Sequence, residues 1–372
     1  MLVVVAPDKF KGSLTALEAA TAIAAGLREG QPGAQARILP IADGGDGTVD
    51  AAVAAGYERV KLEVAGPTGE PVEAAIALRG DTVIVEMAQA TGMQRLPGGR
   101  PAPLTASTFG TGELVRAALD RGAREVVLGI GGSATTDGGS GMARALGARF
   151  LAADGTELPP GGAALAGLSR IDIDKLDPRL ASVRVTVAID VDNPLCGPDG
   201  AAYIYGPQKG ATPEDVKVLD AALRHYAEVL TWAVGVDISA VPGAGAAGGL
   251  GAGAMAFLKA TPRSGISLLL DLVGFREALE GASLVVTGEG ALDVQSLRGK
   301  AVMGVTRAAA AAGVPVVVLA GRVDLSPEEA IQAGFAATYA LTDLEPDLSR
   351  CCRDAAMLLR QLAAGIVWAK KP

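Results

Sequence analysis

Acidic residues stand among glycines at two places in the chain. Residues 42–47 read ADGGDG, with carboxylates at Asp43 and Asp46, and residues 136–141 read TDGGSG, with a carboxylate at Asp137. Glycine lets backbone N–H groups approach an anion closely. Because a carboxylate would repel a bare phosphate, the pattern predicts a cation between the two. Mg²⁺ typically uses one or two carboxylates together with phosphate oxygens and water.

These acids have a second interpretation, because Asp-Gly is a strong turn signal and Asp is a favourable helix N-cap. For Asp46 and Asp137 taken one at a time, both interpretations stay open. Asp190 differs, since the sequence VRVTVAID delivers it at the end of an apolar strand, where a turn former is less needed. A functional role is therefore favoured for Asp190.

Five loops share one design, in which an apolar strand leads into glycines with small polar or charged residues and then into a helix. They lie at residues 7–12, 42–47, 129–139, 243–251 and 287–300. Any one of them could be a simple strand–helix turn. In an open parallel sheet, however, ligands bind beyond the carboxyl ends of the strands. Five such loops together, several of them acidic, favour a phosphate site.

Basic residues cluster at the same loops. The set consists of Lys9, Lys11, Lys209, Arg298, Lys300 and Arg322. Each could be a solvated surface charge. In a chain with a formal net charge of −8, cations placed just past strand ends are better candidates for anion clamps. A complete G-x-x-x-x-G-K-[ST] phosphate loop does not occur in the sequence.

Residues 129–134 read GIGGSA and offer an alternative, because G-x-G-x-x-A after a strand fits a dinucleotide fingerprint. Asp154 stands about where the ribose-binding acid would be. Asp137 follows the glycines at once, however, and would repel a bare pyrophosphate. The sequence therefore favours a metal-bound nucleotide over NAD(P).

Composition excludes several classes of function. The acidic net charge argues against nucleic acid as a partner. The single histidine, His225, lies in the helical pattern LDAALRHYAEVL, which indicates a structural role and disfavours histidine triads and zinc sites. Any general base is then expected to be a carboxylate. Three cysteines without metal spacing, no export signal and no bilayer-length apolar run indicate a cytoplasmic protein.

The pattern of elements predicts two domains, as the length of 372 residues suggests. A strand at 2–6, a helix at 14–29 capped by Ser13, and a strand ARILPIA open the chain. From residue 282 the strands SLVVTG, PVVVLAG and AATYAL again alternate with helices. Five strands alternating with helices predict a doubly wound parallel sheet in the α/β class.

The middle of the chain has a different rhythm. Three short alternating runs after residue 57 are separated by the turn signals GPTG and RGD, which predicts an antiparallel meander. We therefore expect a discontinuous domain of residues 1–56 and 282–372, with a second, mixed α/β domain inserted at 57–281. Insertions of this kind occur because chain ends at a loop tip can lie close together.

Several long motifs resemble family-1 glycerate kinase, of the bacterial glycerate 2-kinase type. They are APDKFKGSL, PIADGGDGT, STFGTGEL, LGIGGSATTDGGSGM, DVDNPLCGPDGAA, YGPQKGAT, GAGAAGGLG and TGEGALDVQS with the following GK. The resemblance covers essentially the whole chain, with Lys9 where many members have Ser. It implies a flavodoxin-like domain with an inserted α/β domain. It also implies transfer of the ATP γ-phosphoryl group to glycerate, usually giving 2-phosphoglycerate.

Phosphoryl transfer requires alignment, charge neutralisation and an acceptor hydroxyl that can lose its proton. We expect ATP as co-substrate with Mg²⁺, in a cleft between the domains, with ADGGDG and TDGGSG facing each other across it. The expected catalytic residues are Asp190 as general base and Lys209 and Arg322 as stabilisers of the phosphoryl group. The expected substrate-binding residues are Asp8, Lys9, Lys11 and Asn193, and the expected metal ligands are Asp43, Asp46, Asp137 and Glu289. The expected nucleotide-binding residues are Gly131, Gly132, Ser133, Thr135, Gly245, Gly248, Gly249 and Lys300.

Three alternatives to this function remain open from the sequence. Phosphorylation at the other hydroxyl would give 3-phosphoglycerate. An NAD(P)-dependent oxidoreductase would use GIGGSA, and a non-catalytic protein would bind glycerate or nucleotide without turnover. The oligomeric state is also left open, a homo-oligomer included.

Overall fold

In a computed structural model of the protein, residues 1–298 and 301–366 are described. Their strands are β1 Leu2–Val5, β2 Gln35–Ile38, β3 Glu58–Ala65, β4 Pro71–Arg79, β5 Thr82–Glu86, β6 Glu125–Gly129, β7 Arg149–Leu151, β8 Arg170–Asp172, β9 Arg184–Ala188, β10 Thr261–Arg263, β11 Ala282–Leu292, β12 Val316–Val323 and β13 Ala337–Ala340. Their helices are α1 Ala16–Gly30, α2 Thr48–Ala54, α3 Ala88–Thr91, α4 Phe109–Asp120, α5 Ser140–Ala145, α6 Ala201–Tyr205, α7 Pro213–Val234, α8 Ala246–Phe257, α9 Gly265–Leu272, α10 Phe275–Ala278, α11 Ala301–Ala311, α12 Pro327–Gln332, α13 Leu348–Arg353 and α14 Ala355–Ala364.

The first of two compact units contains Met1–Asp43, Asp50–Gly56 and the chain from Ile266 onward. Its five strands form a parallel sheet in the order β2-β1-β11-β12-β13. Counted along the chain, this is the flavodoxin-like order 2-1-3-4-5. The predicted doubly wound sheet is therefore confirmed, with its switch point between β1 and β11.

The sheet of this unit is buried on both faces, which explains its continuous apolar strands. In β1, Val4 packs into the core on one face, and Val3 and Val5 pack into the core on the other. Alternate residues of a strand point to opposite faces, so one apolar run serves both cores.

Two local predictions in this unit are corrected. The N-cap of α1 is Thr15, which forms a capping box with Glu18, whereas the hydroxyl of Ser13 donates to the carbonyl oxygen of Cys352 at 2.6 Å. Strand β11 does not end at TG but continues to Leu292, because it pairs with β12 as far as Val323.

The second unit contains Gly44–Val49 and Tyr57–Gly265. Its six-stranded sheet has the order β10-β9-β6-β5-β4-β3. The pairs β3–β4 and β4–β5 are antiparallel, which confirms the predicted meander, and the remaining pairs are parallel. Helices α4 and α8 contribute Leu114 and Leu250 to the core against this sheet.

The boundaries of the two units differ from the predicted 1–56, 57–281 and 282–372 in two places. The segment from Ile266 to Gly281 belongs to the first unit, because Ile266, Leu269 and Phe275 are buried in its core. The loop Gly44–Val49 belongs to the second unit, because its hydrogen-bonding partners lie there.

Among the described residues, no helix is both long enough and apolar enough to cross a membrane.

Candidate active site

Three carboxylates of the first unit meet at the carboxyl ends of its central strands. Asp8 follows β1, Asp43 follows the extended chain after β2, and Glu289 lies within β11 rather than in a loop. The N–H of Asp8 donates to the carbonyl oxygen of Gly288 at 2.8 Å, which fixes the first loop beside β11. These residues therefore flank the switch point of the sheet, where such folds bind ligands.

The charges of this cluster oppose one another. The pKa of Asp8 is raised to about 7, mainly by burial, and the charges of Asp43 and, more weakly, Glu289 act in the same direction. The backbone N–H of Lys9, which donates to Asp8 Oδ1 at 2.7 Å, and the Lys9 ammonium act in the opposite direction. The cluster consequently favours an added positive charge, either a proton or a cation.

The donor set of this cluster fits Mg²⁺. All of its side-chain donors are carboxylate oxygens, which Mg²⁺ prefers. Among the described residues, no group of three or more His, Cys, Asp or Glu is arranged so that it could hold a metal ion. An ion held by one or two of these carboxylates, with phosphate and water completing its shell, is the arrangement that agrees with both observations.

Asp46 lies in the second unit, against the glycine turn that follows β6. A Cβ on Gly132 would lie 2.7 Å from Asp46 Oδ1, and Gly132 has a φ of +76°, so only glycine fits there. The N–H of Gly131 donates to the carbonyl oxygen of Gly44 at 3.2 Å. One predicted metal ligand and two predicted nucleotide-binding glycines are thus brought together.

Glu86, at the end of β5, is not among the candidate residues predicted from the sequence. Its side chain is buried, and its two carboxylate oxygens accept hydrogen bonds from the N–H groups of Gly47 at 3.1 Å and Val49 at 2.8 Å. The sequence does contain a signal for this residue. Glu86 ends the apolar run TVIVE, the apolar residues MA follow it, and no turn-forming residue stands beside it. Glu86 anchors the ADGGDG loop to the sheet.

The second half of the 129–139 loop lies inside the second unit. Ser133, Thr135 and Asp137 are all buried. The Asp137 carboxylate accepts hydrogen bonds from the Thr108 N–H and hydroxyl, at 2.8 and 2.9 Å, and from the N–H groups of Gly139 and Gly141. Burial raises the pKa of Asp137, and these donors act against that shift. Asp137 is therefore an internal hydrogen-bond acceptor that holds the loop, and its role as a metal ligand stays a prediction.

Lys209 is also enclosed within the second unit. Its side chain is buried, and Nζ donates to the carbonyl oxygen of Thr135 at 2.6 Å. Burial lowers the pKa of Lys209 to about 7, while the charge of Asp137 acts to raise it. In this position the Lys209 side chain holds the loop through Thr135, and its role in stabilising the phosphoryl group stays a prediction.

The glycines at the start of α8 are also buried, and their function is close packing of two backbones. A Cβ on Gly248 would lie 2.0 Å from the carbonyl oxygen of Thr135, and one on Gly249 would lie 2.8 Å from the Cα of Gly138. A Cβ on Gly245 would lie 2.1 Å from the carbonyl oxygen of Pro194. These glycines therefore allow close contact between segments of the chain, and their role as a phosphate cradle stays a prediction.

Asp190 follows β9 as predicted and is exposed. Its Oδ1 accepts a hydrogen bond from the N–H of Gly265 at 3.0 Å, which orients the carboxylate at the carboxyl end of the strand. Asn193, three residues later, uses its amide internally, donating to the carbonyl oxygen of Asp199 and accepting from the hydroxyl of Tyr205. The structure thus leaves Asp190 accessible and gives Asn193 a structural part in the same loop.

The predicted cations of the first unit have different surroundings. Lys9 is partly buried beside Asp8, and Lys11 is exposed. Arg322 lies near the end of β12 and pairs with Asp324, with Nη2 and Oδ2 2.8 Å apart. Lys300 and the side chain of Arg298 lie outside the described residues.

The dinucleotide alternative is not supported by the local geometry. Helix α5 begins only at Ser140, so the GIGGSA turn does not open directly into a helix as a dinucleotide fingerprint requires. Asp154 is exposed and accepts hydrogen bonds from Thr156 two residues later, as in a simple turn. His225 shares a hydrogen bond with the carbonyl oxygen of Leu168 at 2.6 Å, which is a structural contact.

Comparison with known proteins gives a consistent result. A sequence model described as the glycerate kinase family matches residues 3–370. The chain is 46% identical to a glycerate kinase of Halalkalibacterium halodurans, over 98% of this chain and 97% of that relative. It is 44% identical to the glycerate 2-kinase of Escherichia coli, over 98% of this chain and 99% of that relative.

A solved structure agrees in fold along the same length. A crystal structure named as a glycerate kinase 2 from Salmonella typhimurium LT2 matches with a TM-score of 0.84 and 43% sequence identity, covering 98% of this chain and 97% of that one. The sequence resemblance is therefore confirmed, and the chain belongs to the glycerate kinase family.

Proposed function

We propose that this member of the glycerate kinase family transfers the γ-phosphoryl group of ATP to glycerate and gives 2-phosphoglycerate. The main support is family membership over the full chain, together with a relative named glycerate 2-kinase at 44% identity. The structural observation that carries the proposal is the carboxylate cluster of Asp8, Asp43 and Glu289 at the switch point of a flavodoxin-like sheet.

We assign the metal to the acids of this cluster. Asp43 and Glu289 would hold Mg²⁺, and the ion would neutralise charge on the nucleotide phosphates. Asp8 keeps its predicted place near the substrate, with Lys9 or Lys11 pairing with the glycerate carboxylate. Arg322 remains the candidate for stabilising the phosphoryl group in this unit, and its pairing with Asp324 sets its present orientation.

Within the second unit, we assign the proton acceptor to Asp190. In the reaction, a bond forms between the glycerate hydroxyl oxygen and Pγ, and the bond between Pγ and the β,γ-bridging oxygen breaks. The hydroxyl proton passes to the Asp190 carboxylate, and ADP leaves. A positioned general base of this kind contributes about 10²–10⁴-fold to the rate. The turn of Gly131 and Gly132 is assigned to the nucleotide phosphates, and Asp46, whose carboxylate lies against Gly132, would bind a cation between itself and those phosphates.

The test is ADP formation that depends on both glycerate and Mg²⁺. Reduction of NAD(P) by glycerate without ATP would indicate an oxidoreductase instead, and binding of glycerate without turnover would indicate a non-catalytic protein. Because both possible products release ADP, the product is identified by ³¹P NMR. Coupling through enolase distinguishes them independently, since 2-phosphoglycerate is consumed directly and 3-phosphoglycerate is consumed only after a mutase is added.

A further inference from the structure

We infer that Glu86 is a positioning residue, which holds the ADGGDG loop so that Asp46 lies against the Gly131–Gly132 turn. This inference rests on the proposed function, because it assumes that the turn and Asp46 take part in nucleotide binding. Glu86 itself lies inside the second unit and acts through the loop.

The first step of the argument is the path of the chain. The flanking segments Met1–Asp43 and Asp50–Gly56 belong to the first unit, yet Gly44–Val49 belongs to the second. A loop with three glycines in six residues loses much conformational entropy when it is ordered. Its position therefore depends on contacts within the second unit.

Glu86 supplies the contacts at the C-terminal half of the loop. One carboxylate oxygen accepts from Gly47 and the other from Val49, at 3.1 and 2.8 Å. The side chain is 2% exposed, the hydrogen bond from Val49 is buried and that from Gly47 is partly buried, so both are at least partly shielded from water. A carboxylate is suited to this task, because both of its oxygens are acceptors and each can take a hydrogen bond from one backbone amide.

The contacts at the other half of the loop are made by the glycine turn. The carbonyl oxygen of Gly44 accepts from the N–H of Gly131, and a Cβ on Gly131 would lie 2.6 Å from the Cα of Gly45. Asp46 lies between these two fastened halves, with its carboxylate against Gly132. A shift of the loop of about 1 Å would move Asp46 relative to the turn, and misplacements of this size can cost on the order of 10²-fold in rate.

The first test uses exchange of backbone amide hydrogens, which does not require activity. In the wild-type protein we expect the amides of Gly47 and Val49 to exchange slowly. In Glu86→Gln, whose amide group presents N–H to one of the two donors, we expect exchange at residues 44–49 to quicken by about tenfold or more. Equal exchange in the two proteins, or fast exchange of both amides in the wild type, would overturn the inference. If Glu86→Gln does not fold, the wild type is compared with Glu86→Asp instead. The aspartate side chain is too short to reach both amides, so the same increase in exchange is expected.

The second test is a double-mutant cycle on glycerate-dependent ADP formation, with Glu86→Gln, Asp46→Asn and their combination. If Glu86 acts through Asp46, the kcat of the double variant is little lower than that of the less active single variant. Losses that multiply would overturn this route. The control is Asp220→Asn, another buried carboxylate that accepts a loop amide, from Gly197 at 2.6 Å, and it should retain kcat within about threefold. Failure of the wild type to use glycerate would reject the proposed function, while the exchange data would still decide the role of Glu86.

Discussion

At the scale of single residues, Asp8 of the first unit is a carboxylate whose surroundings disfavour its charge. Its pKa rises from 3.8 to about 7 on folding, through burial and the neighbouring carboxylates. Between these values the folded state binds the proton and the unfolded state does not. The contribution of Asp8 to stability is therefore complete below about pH 4 and is lost as the pH rises to about 7.

Replacing Asp8 by Asn should remove this pH-dependent loss. At pH 8 we expect Asp8→Asn to melt at a higher temperature than the wild type, with the difference shrinking toward pH 4, and thermal unfolding from pH 4 to 8 measures it. Glu280→Gln, which removes an exposed acid of the same unit, should leave the pH dependence unchanged. A difference between wild type and Asp8→Asn that is constant with pH would mean that Asp8 titrates normally. Because a bound cation relieves the same conflict, Mg²⁺ at pH 8 should raise the melting temperature of the wild type more than that of the variant.

Asp190 allows a test of chemistry at one side chain. Asp190→Asn keeps the size of the residue and an oxygen for the N–H of Gly265, but it cannot accept a proton at neutral pH. We expect kcat to fall by about 10²-fold or more, with little change in KM for glycerate. Asp192→Asn, an exposed acid two residues away, serves as the matched control and should retain activity. Near-wild-type kcat in a folded Asp190→Asn protein would rule out the proposed base.

At the scale of elements, the start of α8 and the loop before α5 pack with almost no side chains between them. Gly248 has a φ of +70°, and a Cβ there would lie 2.0 Å from the carbonyl oxygen of Thr135. Gly235, after α7, has a similar φ of +77° but no heavy atom within 4 Å of an added Cβ. The two positions separate backbone strain from steric overlap.

Gly248→Ala should therefore destabilise the protein more than Gly235→Ala. The left-handed backbone conformation costs a side chain about 1–2 kcal/mol at either position. Overlap with Thr135 adds about 1–3 kcal/mol at Gly248 alone. Urea unfolding of both variants measures the difference in the free energy of unfolding. If both variants lost the same free energy of unfolding, the two segments would separate easily, and their close packing would not contribute to stability.

Elements with a strong apolar period were predictable from the sequence, and those defined by distant partners were not. The strand VVV of β1 and the meander β3–β5 carry their burial pattern in their own residues. Strand β11 continues through TGEGAL, a stretch that reads as a loop, because β12 satisfies its backbone hydrogen bonds. Glycine motifs are ambiguous for a physical reason. An anion cradle and a backbone-to-backbone contact both require the absence of a side chain, and GAGAAGGLG forms the second.

At the scale of the whole molecule, the chain forms two compact units, and the sequence did not reveal every place where the chain passes between them. Asp43 and Asp46 are three positions apart, yet they belong to different units. The assignment of the loop depends on Glu86, which is 37 residues beyond Val49. No local pattern encodes such a partner, since propensity and periodicity act over a few residues. For the same reason, the sequence indicates Asp137 and Lys209 as candidate site residues but does not reveal that they are buried.

The two units also contain buried ionisable groups that act in adjoining pH ranges. Asp8 lowers stability as the pH rises to about 7. Lys209, in the other unit, has a pKa lowered from 10.5 to about 7. Between these values the unfolded state binds the proton and the folded state does not. The energetic cost of burying Lys209 is thus complete below about pH 7 and disappears as the pH rises to 10.5, so stability increases over that range.

Lys209→Met should remove this increase, because methionine fills much of the same space without a charge. We expect the opening free energy of α7, measured by hydrogen exchange, to rise less steeply from pH 7 to 10 in the variant than in the wild type. Comparing the two proteins at each pH cancels the intrinsic dependence of exchange on pH. Lys217→Met, which replaces an exposed lysine of α7 itself, should follow the wild type. Parallel curves for Lys209→Met and the wild type would mean that Lys209 stays protonated when buried, with Asp137 compensating its charge more completely than the lowered pKa implies.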